Sequence, residues 1–409
     1  MHIKENQAYF GTHSATELAS EFGTPLFVYE ESVLRERCKA LKSLVKRSKY
    51  KVNYSFKANN NIAILKIMRE EGFSVDAMSP GEVYLEELAG FTKEEMLYIS
   101  NNMTKEELQF VVDKGLTFSA DSLNQLEAYG KINPGSRVFV RINPAVEDGH
   151  HAKVKTGYKC KFGIVIDEIP TIHQIAEKYG MKIIGINMHV GSLFLQHENF
   201  LKAIQKLLDV ALQFDELEVI NFGGGIGIPY HKDTSRFSIA QFAEVFDQTL
   251  FDWRQKNKKG DITFMIEPGR YPVAESGTLL GTVTDIKTNY DVKYIGTDLG
   301  MNVLLRPVMY GSYHEVVVCN NAQGQEKETV TVCGNICEAG DIMAKDRLLP
   351  KIQEDDVLAV LDAGAYGYAM ASNYNSRLRP MEIMVCMDGS VKVIRERERV
   401  EDLAARQVW

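Results

Sequence analysis

The chain reads as an α/β protein: a (β/α)8 barrel joined to a second, mainly β domain. Three observations predict this. From about residue 30 to 275, short apolar runs alternate with longer amphipathic ones. The alternation approaches eight strand–helix pairs with short connections. Beyond about residue 278, strand-like stretches are mostly separated by loops. Repeated strand–helix pairs favour parallel strands covered by helices, and a count near eight favours closure over an open sheet. The expected barrel spans residues 30–277, and residues 1–29 with 278–409 form the β domain.

In chain order, Pro25-Leu-Phe-Val-Tyr29 is strand-like, precedes the barrel rhythm and is assigned to the β domain. The barrel strands are expected at Tyr50 to Phe56, Phe73 to Ala77, Met96 to Ser100 and Thr117 to Ala120. They continue at Arg137 to Ile142, Ile183 to His189, Leu217 to Phe222 and Asp261 to Glu267. Helices are expected at Ile62 to Glu71, Pro80 to Leu88, Lys105 to Lys114 and Ser122 to Tyr129. Three more follow, at Ile166 to Tyr179, Phe200 to Phe214 and Ile239 to Lys256. Ser79 and Pro80 mark one start, because a capping hydroxyl followed by proline suits the first helical turn. In the β domain, strands are read at Leu279 to Lys287, Tyr294 to Asp298, His314 to Cys319, Thr329 to Val332 and Val357 to Leu361. Ile383 to Ile394 reads as a hairpin turning at Asp388-Gly389.

Bulk properties narrow the function classes. Apolar residues make up 45 % and charged residues 25 %, the mix of an ordinary globular chain. The net charge of -8 gives no basic excess for nucleic acid. The run Lys256 to Lys259 beside Gly260 reads as a solvated turn. No apolar run approaches membrane-spanning length. The start Met-His-Ile-Lys-Glu-Asn has no apolar stretch after a basic one, so no secretory signal is expected. Six scattered cysteines, of which only Cys333 and Cys337 are close, lack the paired clusters of a zinc site. A reducing, cytoplasmic setting without a bound metal is the expectation.

Several unusual segments fall where barrel strands end, the place where the active site of such a barrel gathers. Lys57 ends a strand ahead of Ala58-Asn-Asn-Asn61; it reads as a solvated end residue, or as an amine able to form a Schiff base if positioned. His189 in His-Val-Gly-Ser192 reads equally as a structural or a functional histidine. Gly223-Gly-Gly-Ile-Gly227 is a demanding turn or a phosphate cradle of exposed backbone N–H groups. Its spacing differs from the dinucleotide and ATP-type loops. Glu267-Pro-Gly-Arg270 adds a carboxylate and a guanidinium, either as a turn salt bridge or as ligand contacts. Arg306, Tyr310, Cys337, Glu338, Asp341 and Tyr366 stand out in the β domain, each with a structural explanation of its own. Composition and spacing alone reach a barrel enzyme that handles a phosphorylated ligand.

The same residues, in this order, resemble the fold-type III pyridoxal-phosphate decarboxylases, and within them the diaminopimelate decarboxylases. The resemblance runs from about Pro25 to the C-terminus. It rests on Tyr54-Ser-Phe-Lys-Ala-Asn59, Ser79-Pro-Gly-Glu82, His189-Val-Gly-Ser192, Gly223-Gly-Gly225, Glu267-Pro-Gly-Arg270, Cys337-Glu338 and Gly364-Ala-Tyr-Gly367. It implies a barrel similar to that of alanine racemase, with pyridoxal 5'-phosphate as cofactor. It further implies Lys57 as the Schiff-base lysine, Glu267 at the pyridine nitrogen and His189 stacked on the ring. Gly225, Gly269, Arg270, Ser192 and Tyr366 would surround the phosphate, with Asp76 and Arg141 near the cofactor and its supporting network.

The implied reaction is decarboxylation of meso-2,6-diaminopimelate to L-lysine and CO2 through an external aldimine, with Cys337 the candidate proton donor. Arg270, Arg306 and Tyr310 match the positions that hold the distal carboxylate, Glu338 matches the contact to the distal amine, and Tyr366 is placed with the substrate contacts. The forked guanidinium suits a planar carboxylate, which ornithine and arginine lack at their distal end. The family also implies a homodimer with shared sites, Cys337 and Glu338 entering the partner's pocket. Asn335, Ala339, Leu299 and Ser55-Phe56 depart from the commoner family form without removing a proposed ligand. A related decarboxylase acting on another carboxylated polyamine or an aminoacyl intermediate remains open, as do an amino-acid racemase and a nonenzymatic carrier of the cofactor. The mixed Gly and Lys content of Lys153 to Lys161 permits a loop closing over the substrate without establishing one.

Overall fold

The computed structural model describes residues 1–146 and 159–408, so residues 153–158 of the segment just named lie outside the described residues. The chain divides into two units. One comprises residues 1–36, 229–234 and 272–409; the other comprises residues 37–228 and 235–271.

The first unit begins with a small antiparallel sheet of β1 (His2–Lys4), β2 (Gln7–Phe10) and β3 (His13–Ser14). Helix α1 (Ala15–Phe22) follows at once, because Ser14 and Glu17 form a reciprocal capping box. Next come β4 (Leu26–Glu30) and α2 (Glu31–Lys42), a helix whose residues from 37 onward count with the second unit. Helix α2 lies where no element is expected from the sequence; it carries Glu31 in its first turn and Lys39 and Lys42 in its last, a charge order that favours a helix.

The second unit is the barrel. Its elements are β5 (Tyr50–Ser55), α3 (Ile62–Glu70), β6 (Ser74–Ala77), α4 (Pro80–Ala89), β7 (Met96–Ser100), α5 (Lys105–Lys114), β8 (Thr117–Ala120), α6 (Leu123–Ile132) and β9 (Arg137–Asn143). They continue with β10 (Ile164–Val165), α7 (Ile169–Tyr179), β11 (Lys182–Asn187), α8 (Glu198–Val210), β12 (Val219–Asn221), α9 (Ile239–Asn257) and β13 (Thr263–Ile266). Parallel pairing runs β9-β11-β12-β13-β5-β6-β7-β8, and β8 pairs with β9 to close the ring. Strand β10 adds outside β9.

Local chemistry sets the helix limits. Asn61, Ser79, Thr104, Ser122 and Ser238 each cap a helix through the side-chain oxygen, and Gly90, Gly115 and Gly180 end helices in left-handed conformations. The expected helix at Ile166 to Tyr179 opens with a 3-10 turn at Ile166–Glu168. Inside the ring, Leu97, Ile99, Phe139, Ile184 and Met265 pack together with Val219 against them. That apolar layer leaves the C-terminal strand ends to polar residues.

After α10 (Arg270–Val273) the first unit resumes with β14 (Gly277–Asn289), β15 (Val292–Thr297), α11 (Arg306–Tyr310), β16 (Val316–Val318), β17 (Lys327–Cys333), β18 (Ile342–Pro350), β19 (Val357–Val360), β20 (Met381–Val385) and β21 (Val391–Arg395). The sheet order is β18-β17-β15-β14-β4-β20-β21, with β19 joining β14 to β16. Strand β14 organises it: Leu279 faces Phe27 of β4 on one side and Val360 of β19 on the other, while its far half pairs with β15. Phe10, Leu18, Leu26, Val28, Leu280, Ala359 and Ile383 share one core, so the N-terminal segment belongs to this unit through burial. Strand β18 and the small sheet are additions to the elements expected from the sequence. Among the described residues no helix is long and apolar enough to cross a membrane.

Candidate active site

The barrel gathers its chemical groups at the C-terminal ends of the strands. Lys57 lies in a single 3-10 turn after β5, exposed between the buried Phe56 and Ala58. Asp76, near the end of β6, is 1 % exposed, and its Oδ1 accepts from the Phe56 N–H at 3.0 Å. This bond fixes the turn that presents Lys57. Burial pushes the Asp76 carboxyl up, while Lys57 opposes that rise. Glu82, whose carboxylate accepts from the Met78 N–H at 2.7 Å, is pushed up to about 7, first by burial and then by Asp76.

His189 stands just after β11. Burial first, then Lys57 and Arg141, hold its imidazole well below the usual histidine range, so the ring is neutral. The Gly224 N–H donates to its Nδ1 at 3.4 Å, which leaves the proton on Nε2. Arg141 of β9 pairs with Asp121 at 3.3 Å and lies 4.6 Å over the Phe162 ring. The Gly163 N–H also donates to Asp121 Oδ1, at 3.1 Å.

The glycine run after β12 is shaped by close approach. A Cβ at Gly223 would lie 2.1 Å from the Met188 carbonyl oxygen, and one at Gly224 would lie 2.0 Å from that of Glu267. Gly225 adopts φ of 130°, a region that disfavours any side chain. Backbone bonds strap the segment after His189 to this turn: the Phe194 N–H donates to the Gly225 carbonyl at 2.8 Å, and the Gly227 N–H to the Phe194 carbonyl at 2.9 Å. Arg270, buried at the start of α10, donates to Ser192 Oγ at 3.1 Å, and Gly269 is buried beside it.

Glu267 follows β13 directly. Its Oε1 accepts from Asn221 Nδ2 at 2.7 Å, and its N–H donates to the Gly223 carbonyl at 2.8 Å. Burial and Asp76 raise its carboxyl to about 8, against the Asn221 bond, Arg141 and Lys57. Lys57, Asp76, Arg141, His189 and Glu267 therefore lie within one electrostatic neighbourhood of the barrel.

In the other unit, Arg306 begins α11 and is 2 % exposed. Its Nε donates to His314 Nε2 at 3.4 Å, its Nη2 donates to Ser312 Oγ at 3.2 Å, and the guanidinium lies 4.9 Å over Tyr230. His314 Nδ1 meets the Leu361 carbonyl at 2.8 Å; a carbonyl only accepts, so Nδ1 carries the proton and Nε2 accepts from Arg306. Tyr310 ends the same helix, half-buried. Cys337 and Glu338 are exposed on a tied loop. Asp341 accepts there from the Met301 and Ile336 N–H groups at 2.6 and 2.8 Å, and the Cys337 N–H donates to Asn375 Oδ1 at 2.7 Å. Tyr366 is half-buried with φ of 56°.

Three participants are absent from the residues singled out by sequence: Asp121, Asn221 and His314. For Asp121 a signal existed, since it follows a barrel strand as Lys57 and His189 do. Asn221 shares the inward face of β12 with Val219, where a polar residue at a buried strand end needs a partner. His314 has no local signal; only folding sets it against Arg306.

An accessible amine, two buried carboxylates, a neutral imidazole and a close-packed glycine turn form a donor set that fits pyridoxal phosphate: amine for aldehyde, carboxylate for ring nitrogen, backbone and guanidinium for phosphate. The comparisons with known proteins agree. Residues 31–274 match the family model described as "Pyridoxal-dependent decarboxylase, pyridoxal binding domain". A diaminopimelate decarboxylase of Methanothermobacter thermautotrophicus is 42 % identical, covering 97 % of this chain and 94 % of that protein. The Escherichia coli K12 diaminopimelate decarboxylase is 30 % identical, covering 96 % and 95 %. A diaminopimelate decarboxylase structure from Methanocaldococcus jannaschii, in complex with L-lysine, superposes with a TM-score of 0.91 at 32 % identity, covering 100 % of this chain and 97 % of that one.

Proposed function

This chain belongs to the diaminopimelate decarboxylase family, and from that premise we propose that it converts meso-2,6-diaminopimelate to L-lysine and CO2. The observation that carries the reading is near full-length similarity to diaminopimelate decarboxylases, over a barrel that sets Lys57 among Asp76, His189 and Glu267. Bound pyridoxal phosphate supplies an aldehyde for amine capture and a ring that accepts electrons when the carboxylate leaves. Lys57, Asp76, Arg141, His189, Ser192, Gly225, Glu267, Gly269, Arg270 and Tyr366 would hold it.

Each residue then has a task its surroundings favour. Lys57 is the attachment point, and the Phe56–Asp76 bond keeps its turn in place. Glu267 would face the ring nitrogen as a carboxylate and keep a proton there, with the Asn221 bond, Arg141 and Lys57 favouring its ionised form against burial. Neutral His189 would stack on the ring without adding a competing positive charge. We assign Arg270, Arg306 and Tyr310 to the distal carboxylate and Tyr366 to the substrate contacts. The reading is supported by the bonds from Arg306 to His314 Nε2 and Ser312 Oγ, which hold its guanidinium in one orientation. The active unit we propose is a homodimer in the cytoplasm, in which Cys337 of the partner subunit donates a proton and Glu338 of the partner subunit takes the distal amine. The exposure of both side chains on a tied loop supports that assignment.

Incubating the cofactor-loaded protein with meso-diaminopimelate, and quantifying L-lysine and CO2, tests the reaction. Equal amounts of both are expected. Cofactor loading with neither product would overturn the assigned reaction.

A further inference from the structure

Among the groups at the barrel's strand ends, Asn221 has no part in the reaction as assigned so far. It closes β12, is 0 % exposed, and faces inward on the same side as Val219. Both ends of its amide are committed. Oδ1 accepts from the Gly223 N–H at 2.9 Å, and Nδ2 donates to Glu267 Oε1 at 2.7 Å. The orientation follows from chemistry, because the Gly223 N–H can only donate and so requires the amide oxygen. Nδ2 then meets Oε1 as a donor, and any proton between Glu267 and a ligand belongs on Oε2. The surroundings leave the amide no slack: Gly223 and Gly224 lie against the Met188 and Glu267 carbonyls too closely for a Cβ, and Glu267 N–H returns to the Gly223 carbonyl.

We propose that Asn221 is a positioning residue for the decarboxylation: it holds Glu267 in the orientation that meets the cofactor's ring nitrogen, and it ties that carboxylate to the glycine turn. The proposal rests on Glu267 serving the ring nitrogen. Burial and Asp76 work against an ionised Glu267, whereas Arg141, Lys57 and the Asn221 bond favour it. Of these, only Asn221 also bonds the glycine turn. The phosphate end and the nitrogen end of the cofactor are thereby linked through one side chain.

The two bonds of the amide are separable by substitution. Asn221→Asp keeps an acceptor for Gly223 and replaces the donor to Glu267 with a second carboxylate; Asn221→Ala removes both contacts. The readouts are the pH dependence of the visible absorption of cofactor-loaded protein, the cofactor dissociation constant, and kcat and KM taken separately. Loss of a hydrogen bond to a charged group predicts that both variants lower kcat by roughly 10- to 100-fold with little change in KM. Both also shift the pH at which the absorption titrates. Only Asn221→Ala weakens cofactor binding. Adding Asn221→Ala to Glu267→Gln changes kcat little further, because the two act as one unit. Wild-type absorption titration in Asn221→Asp, or full additivity with Glu267→Gln, would overturn the proposal. Absence of lysine from the wild-type protein would sink the assigned reaction and leave the absorption test standing.

Discussion

Two glutamates, one in each unit, are equally hidden and differently treated. Glu86 on α4 of the barrel unit is 0 % exposed, and among the described residues neither carboxylate oxygen has a hydrogen-bond partner. Burial first, then Asp76, Glu82 and Glu87, push it up to about 9. Glu382 on β20 of the β unit is also 0 % exposed, yet it accepts from Arg395 Nε at 2.5 Å and from the Tyr29 hydroxyl at 2.8 Å. Depth alone therefore does not decide whether a buried acid is paired; the neighbouring side chains do. In the β unit the pair closes a structural contact between strands. In the barrel, carboxylates crowd around Lys57 at a cost in stability, an arrangement that suits chemistry better than folding.

The largest test of that contrast is Lys57→Ala. It should reduce turnover by roughly ten-thousand-fold, the upper range for a lost catalytic group, and remove the cofactor's visible band while unfolding stays cooperative. Retained turnover in the folded variant would break the cofactor assignment. Arg395→Ala is the mirror experiment in the β unit. It leaves Glu382 buried without its guanidinium and should cost about 3–5 kcal/mol in denaturant unfolding. A loss below about 1 kcal/mol would show that the pair is not structural.

Arg306→Ala should raise KM for diaminopimelate by roughly 10- to 100-fold, the loss of a hydrogen bond to a charged group, and leave the visible band intact. Loss of the band instead would mean that Arg306 itself supports cofactor binding. The smallest effect belongs to Glu86→Leu. Below the ordinary glutamate value of 4.5, Glu86 is protonated whether folded or not, so burial of the charge costs nothing there. Between 4.5 and about 9 the unfolded chain sheds the proton that the folded chain keeps, and stability falls as pH rises. The substitution should therefore stabilise by about 2 kcal/mol near pH 8, and by less near pH 5, in thermal or urea unfolding. An equal gain at both pH values would point to packing rather than charge.

What was legible from sequence depended on distance along the chain. The eight barrel strands and their helices were readable because apolar spacing and caps such as Ser79, Thr104 and Ser122 act within a few residues. The strand-end positions of Lys57, His189, Gly223 and Glu267 followed from the same rhythm. Strand β18 was missed because its partner β17 and the loop between them, not its own alternation, define it. Helix α2 was missed because its polar composition hides the face it buries.

By itself, then, the sequence determined the barrel-plus-β architecture and the segments from which a cofactor site is built, since both are written in local periodicity and turn chemistry. Tertiary structure alone decided which groups meet. The 2.7 Å bond from Asn221 to Glu267 joins residues 46 positions apart, the Arg141–Asp121 pair joins two neighbouring strand ends, and His314 reaches Arg306 across the end of a helix. Pairing was decided there too. Glu86 and Glu382 are the same side chain, and only the folded surroundings give the second an arginine and the first, among the described residues, no hydrogen-bond partner.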